Sequence, residues 1–360
     1  MTIPTILCVK RHSHLVEDIY YKSMRFGPFA AFAIVLLLSF MTSSTADAQS
    51  FPGLGNINGD TFSLSVTPQY PSPYSQTMVS PASNSLNLTN ATLTVSVNGK
   101  ETYTGSVHTF PVQIGGAGTV TNVRATIVSG GMSYVRAVSI QPQDVTLVAE
   151  PISSAPPLYP GKPSVPLQGN VRVVAMANLR DAKGNTSSPT TYAYAWTVDG
   201  IHLPDSSGIG KSSIIVPSPL QYRDSKVSVV VTDSSGNLVG GASLSLYALQ
   251  PLIRVYENDP LLGIRYDHAL LGNYTVSGAE STLYAAPFSL PITNGAPLVT
   301  WFLNGSSVQT GNSITLRPAG SGQGSASLSL TAISADNSTM GTANLSLTFG
   351  MPPSTNIFGL

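Results

Sequence analysis

Past residue 50 the chain alternates apolar and polar positions in short runs: Thr61 to Val66, Ala91 to Val97, Lys226 to Thr232 and Ser325 to Thr331. A period of two lays one face of each run on a core and the other in water, so these runs are predicted to be half-buried strands. Almost no window repeats its apolar residues at the three-and-four spacing of an amphipathic helix. Between the runs lie turn clusters, at Ser129 to Gly131, Asp181 to Asn185 and Asp233 to Asn237. Gly, Asn and Asp there tolerate or cap tight backbone turns, at spacings that suit an antiparallel β-sandwich.

The pattern repeats three times. Val95-Ser-Val-Asn-Gly99, Trp196-Thr-Val-Asp-Gly200 and Trp301-Phe-Leu-Asn-Gly305 each run a strand into an Asn-Gly or Asp-Gly turn. Each is followed 43 to 48 residues after its first position by a Ser-centred alternation: Val138-Ser-Ile140, Leu244-Ser-Leu246 and Leu345-Ser-Leu347. Two markers at near-constant separation predict three tandem β-domains, over 51–142, 143–249 and 250–350, with a tail at 351–360. The links between them are a few residues long and carry Pro142 and Pro251. A proline fixes its own φ and restricts the residue before it, which predicts a semi-rigid row of modules.

The second module carries a family resemblance. Tyr192-Ala-Tyr-Ala-Trp-Thr-Val-Asp-Gly200, Tyr222 and Val227 to Asn237 resemble strand C, the E–F corner and the F–G hairpin of polycystic-kidney-disease-type and related bacterial immunoglobulin-like domains. The third module echoes this with Trp301, Gly322-Gln-Gly324 and Ser325 to Leu330, and the first with Gly115 to Gly118 and Thr119 to Ile127. Val95 stands where the other copies have Trp, and no copy has the Gly-Asp-Gly that often follows the Trp in that family. The resemblance implies all-β immunoglobulin-like sandwiches used outside the cell as spacers, adhesins or binding modules. It also implies that Trp196 and Trp301, with Val95 in the first copy, anchor the cores between the sheets.

The N-terminus bears on the compartment. An apolar stretch from Phe26 to Met41 follows Lys22 and Arg25 and precedes Ala46-Asp-Ala48-Gln49. A basic flank, a short apolar core and a small-x-small site form the pattern of a secretory signal peptide, with cleavage expected between Ala48 and Gln49. The alternative is an uncleaved N-terminal membrane anchor, for which 16 residues is short against the usual 20 or so. Glu17, Asp18 and two His upstream of Met24 are unusual in a signal's basic region, so a start at Met24 is also open. Either way the modules are expected to be extracytoplasmic.

Cys8, the single cysteine, lies upstream of that stretch. The exported part can form no disulfide and must be held by burial and hydrogen bonding. From Gln49 onward there are 13 Lys and Arg against 14 Asp and Glu. A balance so sparse and even argues against capture of nucleic acid or anionic lipid.

Patterns that would carry chemistry are thin. Gly208-Ile-Gly-Lys-Ser212 resembles the end of a phosphate-binding loop, but Asp205 stands where the first Gly belongs and a β-run follows. Gly320 to Gly324 likewise opens onto a strand. His108, His202 and His268 fall in different modules, and no Gly-x-Ser-x-Gly elbow meets a helix. No catalytic residue and no cofactor is expected.

The sharpest metal candidate is Glu257-Asn-Asp259-Pro260, with Asp267 downstream. It resembles the Asn-Asp linkers through which cadherin-like repeats bind calcium, although the partnering acidic motifs are missing. Seven Asn-x-Ser/Thr sequons occur, at Asn87, Asn90, Asn185, Asn273, Asn304, Asn337 and Asn344. The bacterial character of the resemblance makes them incidental. The tail has no Leu-Pro-x-Thr-Gly sorting motif, and its apolar Ile357-Phe358 is read as disordered chain or as a small docking tip.

Two functional expectations follow. One is an exported, non-enzymatic structural or adhesive protein, assembling with other envelope or extracellular proteins through strand edges and loops. The alternative is a binding module whose sandwich loops meet a glycan or a protein receptor.

Overall fold

A computed structural model describes residues 62–276, 279–319 and 323–350. The expected signal region with Ala48 and Gln49, most of the Gly320 to Gly324 loop and the Ile357-Phe358 tip lie outside the described residues. Within them the fold is all β, with helical content limited to single 3-10 turns at Pro189–Thr191 and Pro204–Ser206.

Six sheets form three facing pairs. In the first module β1 (Ser63–Thr67), β2 (Gln76–Ala82) and β5 (Phe110–Gln113) form one sheet in the order β1-β2-β5. Opposite it, β3 (Thr92–Val97), β4 (Lys100–Ser106), β6 (Thr121–Ser129) and β7 (Met132–Ile140) are ordered β4-β3-β6-β7. The second module repeats this with β8 (Asp144–Pro151), β9 (Asn170–Asn178) and β13 (Ser213–Pro217), ordered β13-β9-β8. Its other sheet is β11-β10-β14-β15, from β10 (Ala193–Val198), β11 (Ile201–His202), β14 (Asp224–Thr232) and β15 (Val239–Tyr247), with β12 (Gly208–Ile209) also on β10. These are immunoglobulin-like sandwiches, whose inward positions alternate along each strand.

The third module enlarges the plan. Its first sheet is β17-β16-β19-β22, from β16 (Leu252–Asp259), β17 (Gly263–Leu270), β19 (Ser281–Phe288) and β22 (Ser313–Leu316). The second is β18-β24-β23-β20-β21, from β18 (Gly272–Val276), β20 (Leu298–Leu303), β21 (Ser306–Thr310), β23 (Gly324–Ile333) and β24 (Met340–Phe349). β18 runs parallel to β24, whereas the other strands of the described residues pair antiparallel and only an isolated bridge, Pro166 with Leu249, is also parallel. Neither β17 nor β18 is evident from the alternation of the sequence.

Each module encloses its own apolar core. Val95, Trp196 and Trp301 occupy the same place in β3, β10 and β20, with no accessible surface. They pair across the sheet with Ala125, Val229 and Leu330. The two indoles also satisfy their one polar atom: Nε1 of Trp196 donates to the Lys211 carbonyl at 2.8 Å, and Nε1 of Trp301 to that of Gly311 at 2.7 Å. The next carbonyls, of Ser212 and Asn312, accept from Ala175 in β9 and Ala285 in β19. One short stretch of backbone thus joins the two sheets in each of these modules. Val95 has no polar atom to make this tie, so burial alone anchors the first module at that position.

The three Asx-Gly turns share one geometry. Asn98, Asp199 and Asn304 have φ of 52°, 50° and 52°, and the glycines after them 82°, 82° and 84°. Two successive positive φ values make the turn whose twist matches a hairpin, and they favour Asn or Asp followed by Gly. Each Asx N–H still donates to the facing strand, at Asn122, Lys226 and Ser327, over 2.8 to 2.9 Å. The return bond goes to the side chain: Asn122, Lys226 and Ser327 donate their N–H to Oδ1 of Asn98, Asp199 and Asn304 at 2.9, 2.7 and 2.9 Å. The side-chain oxygen holds the place that the main-chain carbonyl would fill in a continued ladder.

Two outcomes follow from this packing. Trp196→Ala or Trp301→Ala should destabilise its module by roughly 3 to 5 kcal/mol, as other large aromatic core truncations do, and calorimetry of the full chain measures it. Asn98→Gly keeps the backbone angle but removes the side-chain acceptor, so it should cost about 1 kcal/mol. Asn98→Ala should cost more, because a Cβ without a compensating bond is strained at that φ. Equal stability of the Gly and Ala variants would disprove the turn argument.

Candidate functional site

The residues singled out in the sequence do not converge. Trp196, Trp301 and Val95 are interior to three separate cores. Glu257 and Asp259 lie in β16, whose far end Asp259 forms, and not in the joint between modules. Oδ1 of Asp259 accepts from the N–H groups of Leu261 and Leu262 at 2.8 and 2.9 Å, which closes the turn into β17. Glu257 accepts from the Tyr274 hydroxyl at 3.3 Å, and Asp267 is paired with Arg265 at 3.2 Å. Among the described residues no group of three or more His, Cys, Asp or Glu side chains could hold a metal ion.

The other motifs are absorbed by the fold. Gly208 to Ser212 contains the short strand β12 and supplies the carbonyl that receives Trp196 Nε1. His108 stacks edge-on with Tyr103 at 4.6 Å, while His202 and His268 lie in β11 and β17. The seven sequon asparagines are exposed. Tyr222 sits on the connection from β13 to β14 as the resemblance implied, but its side chain is 91% exposed at a φ of 62°. It therefore makes no corner anchor: the tight turn from Leu220 to Arg223 points it out of the sandwich.

What the sequence did not show is how the modules are joined. On the second module's side of the first joint, the buried Gln143 side chain holds the Arg180 backbone twice, donating to its carbonyl at 2.9 Å and accepting from its N–H at 2.7 Å. Gly118 donates to Pro142 and accepts from the Gln141 amide. A Cβ on Gly118 would stand 2.5 Å from the Asp181 carbonyl oxygen, so only glycine permits this approach. From the first module, the Tyr70 ring lies against Gly241 in β15.

The second joint uses the long connection between β8 and β9. Ser154 exchanges backbone bonds with the segment after β19, donating to Leu290 at 2.7 Å and accepting from Ser289 at 3.2 Å. Its hydroxyl also accepts from the Leu290 N–H. Ser153 pairs with Pro291, and Tyr159 packs edge-on against Phe288 at 5.4 Å. Ser289 has a φ of 60° and is buried, so a strained residue is held inside the contact.

Beside the first joint lies an open cleft of about 590 Å³. Ser72, Tyr74 and Thr119 line it from the first module, and Asp144, Thr146 and Arg180 from the second. Tyr74 has a φ of 59° and a side chain 78% exposed. Its N–H donates to Gly115, its carbonyl accepts from Gln113 Nε2, and a Cβ on Gly116 would fall 2.7 Å from its hydroxyl oxygen. The backbone that holds this ring out is therefore fixed at both of its polar groups. Neither Asp144 nor Arg180 has an ion-pair partner among the described residues.

No family model matches the chain, and no curated protein matches it. Among solved structures, it is similar to the three N-terminal domains of the bacteriophage RB49 highly immunogenic outer capsid protein. The identity is 11% and the TM-score 0.23, over 81% of this chain and 99% of that one. A central fibronectin-III array of RIM-binding protein gives 10% and 0.25, over 81% and 96%. The Bacteroides ovatus SGBP-B in complex with a mixed-linkage heptasaccharide gives 12% and 0.22, over 81% and 71%. At such TM-scores the likeness adds nothing to what the strand order already shows.

A carboxylate stiffens one hairpin turn of the third module. In the β23–β24 turn, Oδ1 of Asp336 accepts from the Ser334 hydroxyl, the Ser338 hydroxyl and the Ser338 N–H at 2.6, 2.7 and 3.0 Å. These bonds hold its carboxyl at about 2, well below the ordinary 3.8. A folded value below the unfolded one means the contribution is complete above the ordinary value and is lost as pH falls through the folded one. The Ser338 amide resonance should accordingly titrate with a midpoint near 2, and Asp336→Asn should abolish the titration. A midpoint near 3.8 would contradict the bonding of this turn.

Proposed function

We propose that the chain is an exported, non-enzymatic structural or adhesive protein, in which three immunoglobulin-like sandwiches form a semi-rigid rod at or beyond the cell surface. The observation that carries this reading is the pair of joints. At the first, Gly118 and Tyr70 of one module pack against the Arg180 and Asp181 carbonyls and Gly241 of the next; at the second, Ser154 exchanges backbone bonds with Ser289 and Leu290. A flexible string of domains has no use for a close-packed glycine or a strained serine at its hinges, whereas a spacer that must keep its length does. Export rests on the Phe26 to Met41 stretch and the site at Ala48 and Gln49. Assignment of the second module to the bacterial polycystic-kidney-disease type belongs to the same proposal and rests on Tyr192 to Gly200 and Val227 to Asn237.

A second reading, a module that binds a glycan or protein receptor, is favoured by the cleft with its exposed Tyr74. The rod reading is tested by small-angle scattering on the exported chain, whose intact mass should begin at Gln49. The native chain should scatter as one rigid elongated particle, and Gly118→Leu, which drives a side chain into the Arg180 and Asp181 carbonyls, should broaden it into an ensemble. A native chain that already scatters as a broad ensemble, or as a compact particle, overturns the rod.

A further inference from the structure

We propose that the cleft beside the first joint is a binding site for a short neutral saccharide, an inference that rests on the receptor-binding reading above. Three chemical features meet there. Tyr74 offers an aromatic face that is mostly exposed, at a backbone angle a bulky residue rarely adopts. Strain of that kind persists only where the surroundings impose it, and here the bonds to Gly115 and from Gln113 do so. A ring held out in this way suits the apolar face of a pyranose.

Arg180 and Asp144 lie on the same cleft and have no ion-pair partner among the described residues. A guanidinium only donates hydrogen bonds and an ionised carboxylate only accepts them. A sugar hydroxyl does both, so a run of hydroxyls can satisfy the two groups together. An anionic ligand would be repelled by Asp144 and a cationic one by Arg180. Hydroxyls of Ser72, Thr119 and Thr146 add neutral partners to the rim. The volume lies within the range of small-molecule sites, and the openness to water suits a weak, solvated glycan contact better than an apolar ligand.

The site exists only when the two modules are docked, since each supplies half of it. Within the second module two bonds to Gln143 hold the Arg180 backbone, and its carbonyl lies against Gly118 of the first module, so one residue serves both the joint contact and the cleft. Binding and docking of the modules are coupled through that one arginine.

The test uses the full chain, with Tyr74→Ala and Arg180→Gln, on an array of neutral and uronic-acid oligosaccharides, followed by calorimetry on the best neutral ligand. The expected result is selective retention of a neutral oligosaccharide, weakened about tenfold or more by each substitution, with the melting temperature unchanged. Neutral-glycan binding that neither substitution alters overturns this site but leaves the receptor reading standing. Retention confined to the acidic sugars overturns the neutral class. Binding to no glycan on the array overturns the proposal together with the glycan form of that reading.

Discussion

One side-chain oxygen sits at the centre of each sandwich's economy. Where β3, β10 and β20 end, Asn98, Asp199 and Asn304 must reverse the chain and still finish a ladder with the strand opposite. A residue at positive φ cannot direct its own carbonyl as an extended residue would, so the side-chain Oδ1 accepts in its place. Only Asn and Asp combine a carbonyl at this reach with tolerance of that angle. The glycine that follows then lets the next strand leave with the right twist. Without a disulfide past Cys8, a corner fixed in this way is one of the few local constraints on sheet register.

Much of this was legible in the chain, and the reason is periodicity. Val138-Ser-Ile140, Leu244-Ser-Leu246 and Leu345-Ser-Leu347 all fall in the last strand of their modules, β7, β15 and β24. Alternation marks such strands because one face meets a core and the other meets water. β17 left no such mark, since Arg265-Tyr-Asp-His268 is exposed on both sides of an edge strand. β18 was hidden for a different reason: its parallel partner is more than seventy positions away, as in Gly272 with Leu345, and local pattern carries no information about such pairing. Tyr222 shows the converse failure, where position in a motif was right but the direction of the side chain was decided by the turn around it.

The joints were illegible because their partners are distant and polar. Ser154 and Leu290 are 136 residues apart, and nothing in the sequence near Ser154 marks it as a contact. The prolines near the links suggested restricted hinges, but the contacts that meet across each link come from loops that reach past it. Gly118 is the clearest case, since what requires a glycine there is the Arg180 and Asp181 carbonyls of the next module, more than sixty positions on. A Cβ there would meet those carbonyls at 2.5 to 2.8 Å, so the docked arrangement depends on that one residue.

The closeness of that contact bears on what the first joint can do. Separation would move Asp144 and Arg180, which the second module carries, away from Tyr74 and Thr119 on the first. A ligand touching both halves would bind only the docked state and so hold the modules together, by as much as its affinity allows. The second joint buries its strained Ser289 inside the contact with Ser154, so its distinctive residue is spent on cohesion and not presented to solvent. The same structural problem, joining two sandwiches without a disulfide, has thus been solved twice with different consequences. One solution is closed, and the other leaves an exposed aromatic ring at the boundary, with two charges that have no ion-pair partner among the described residues.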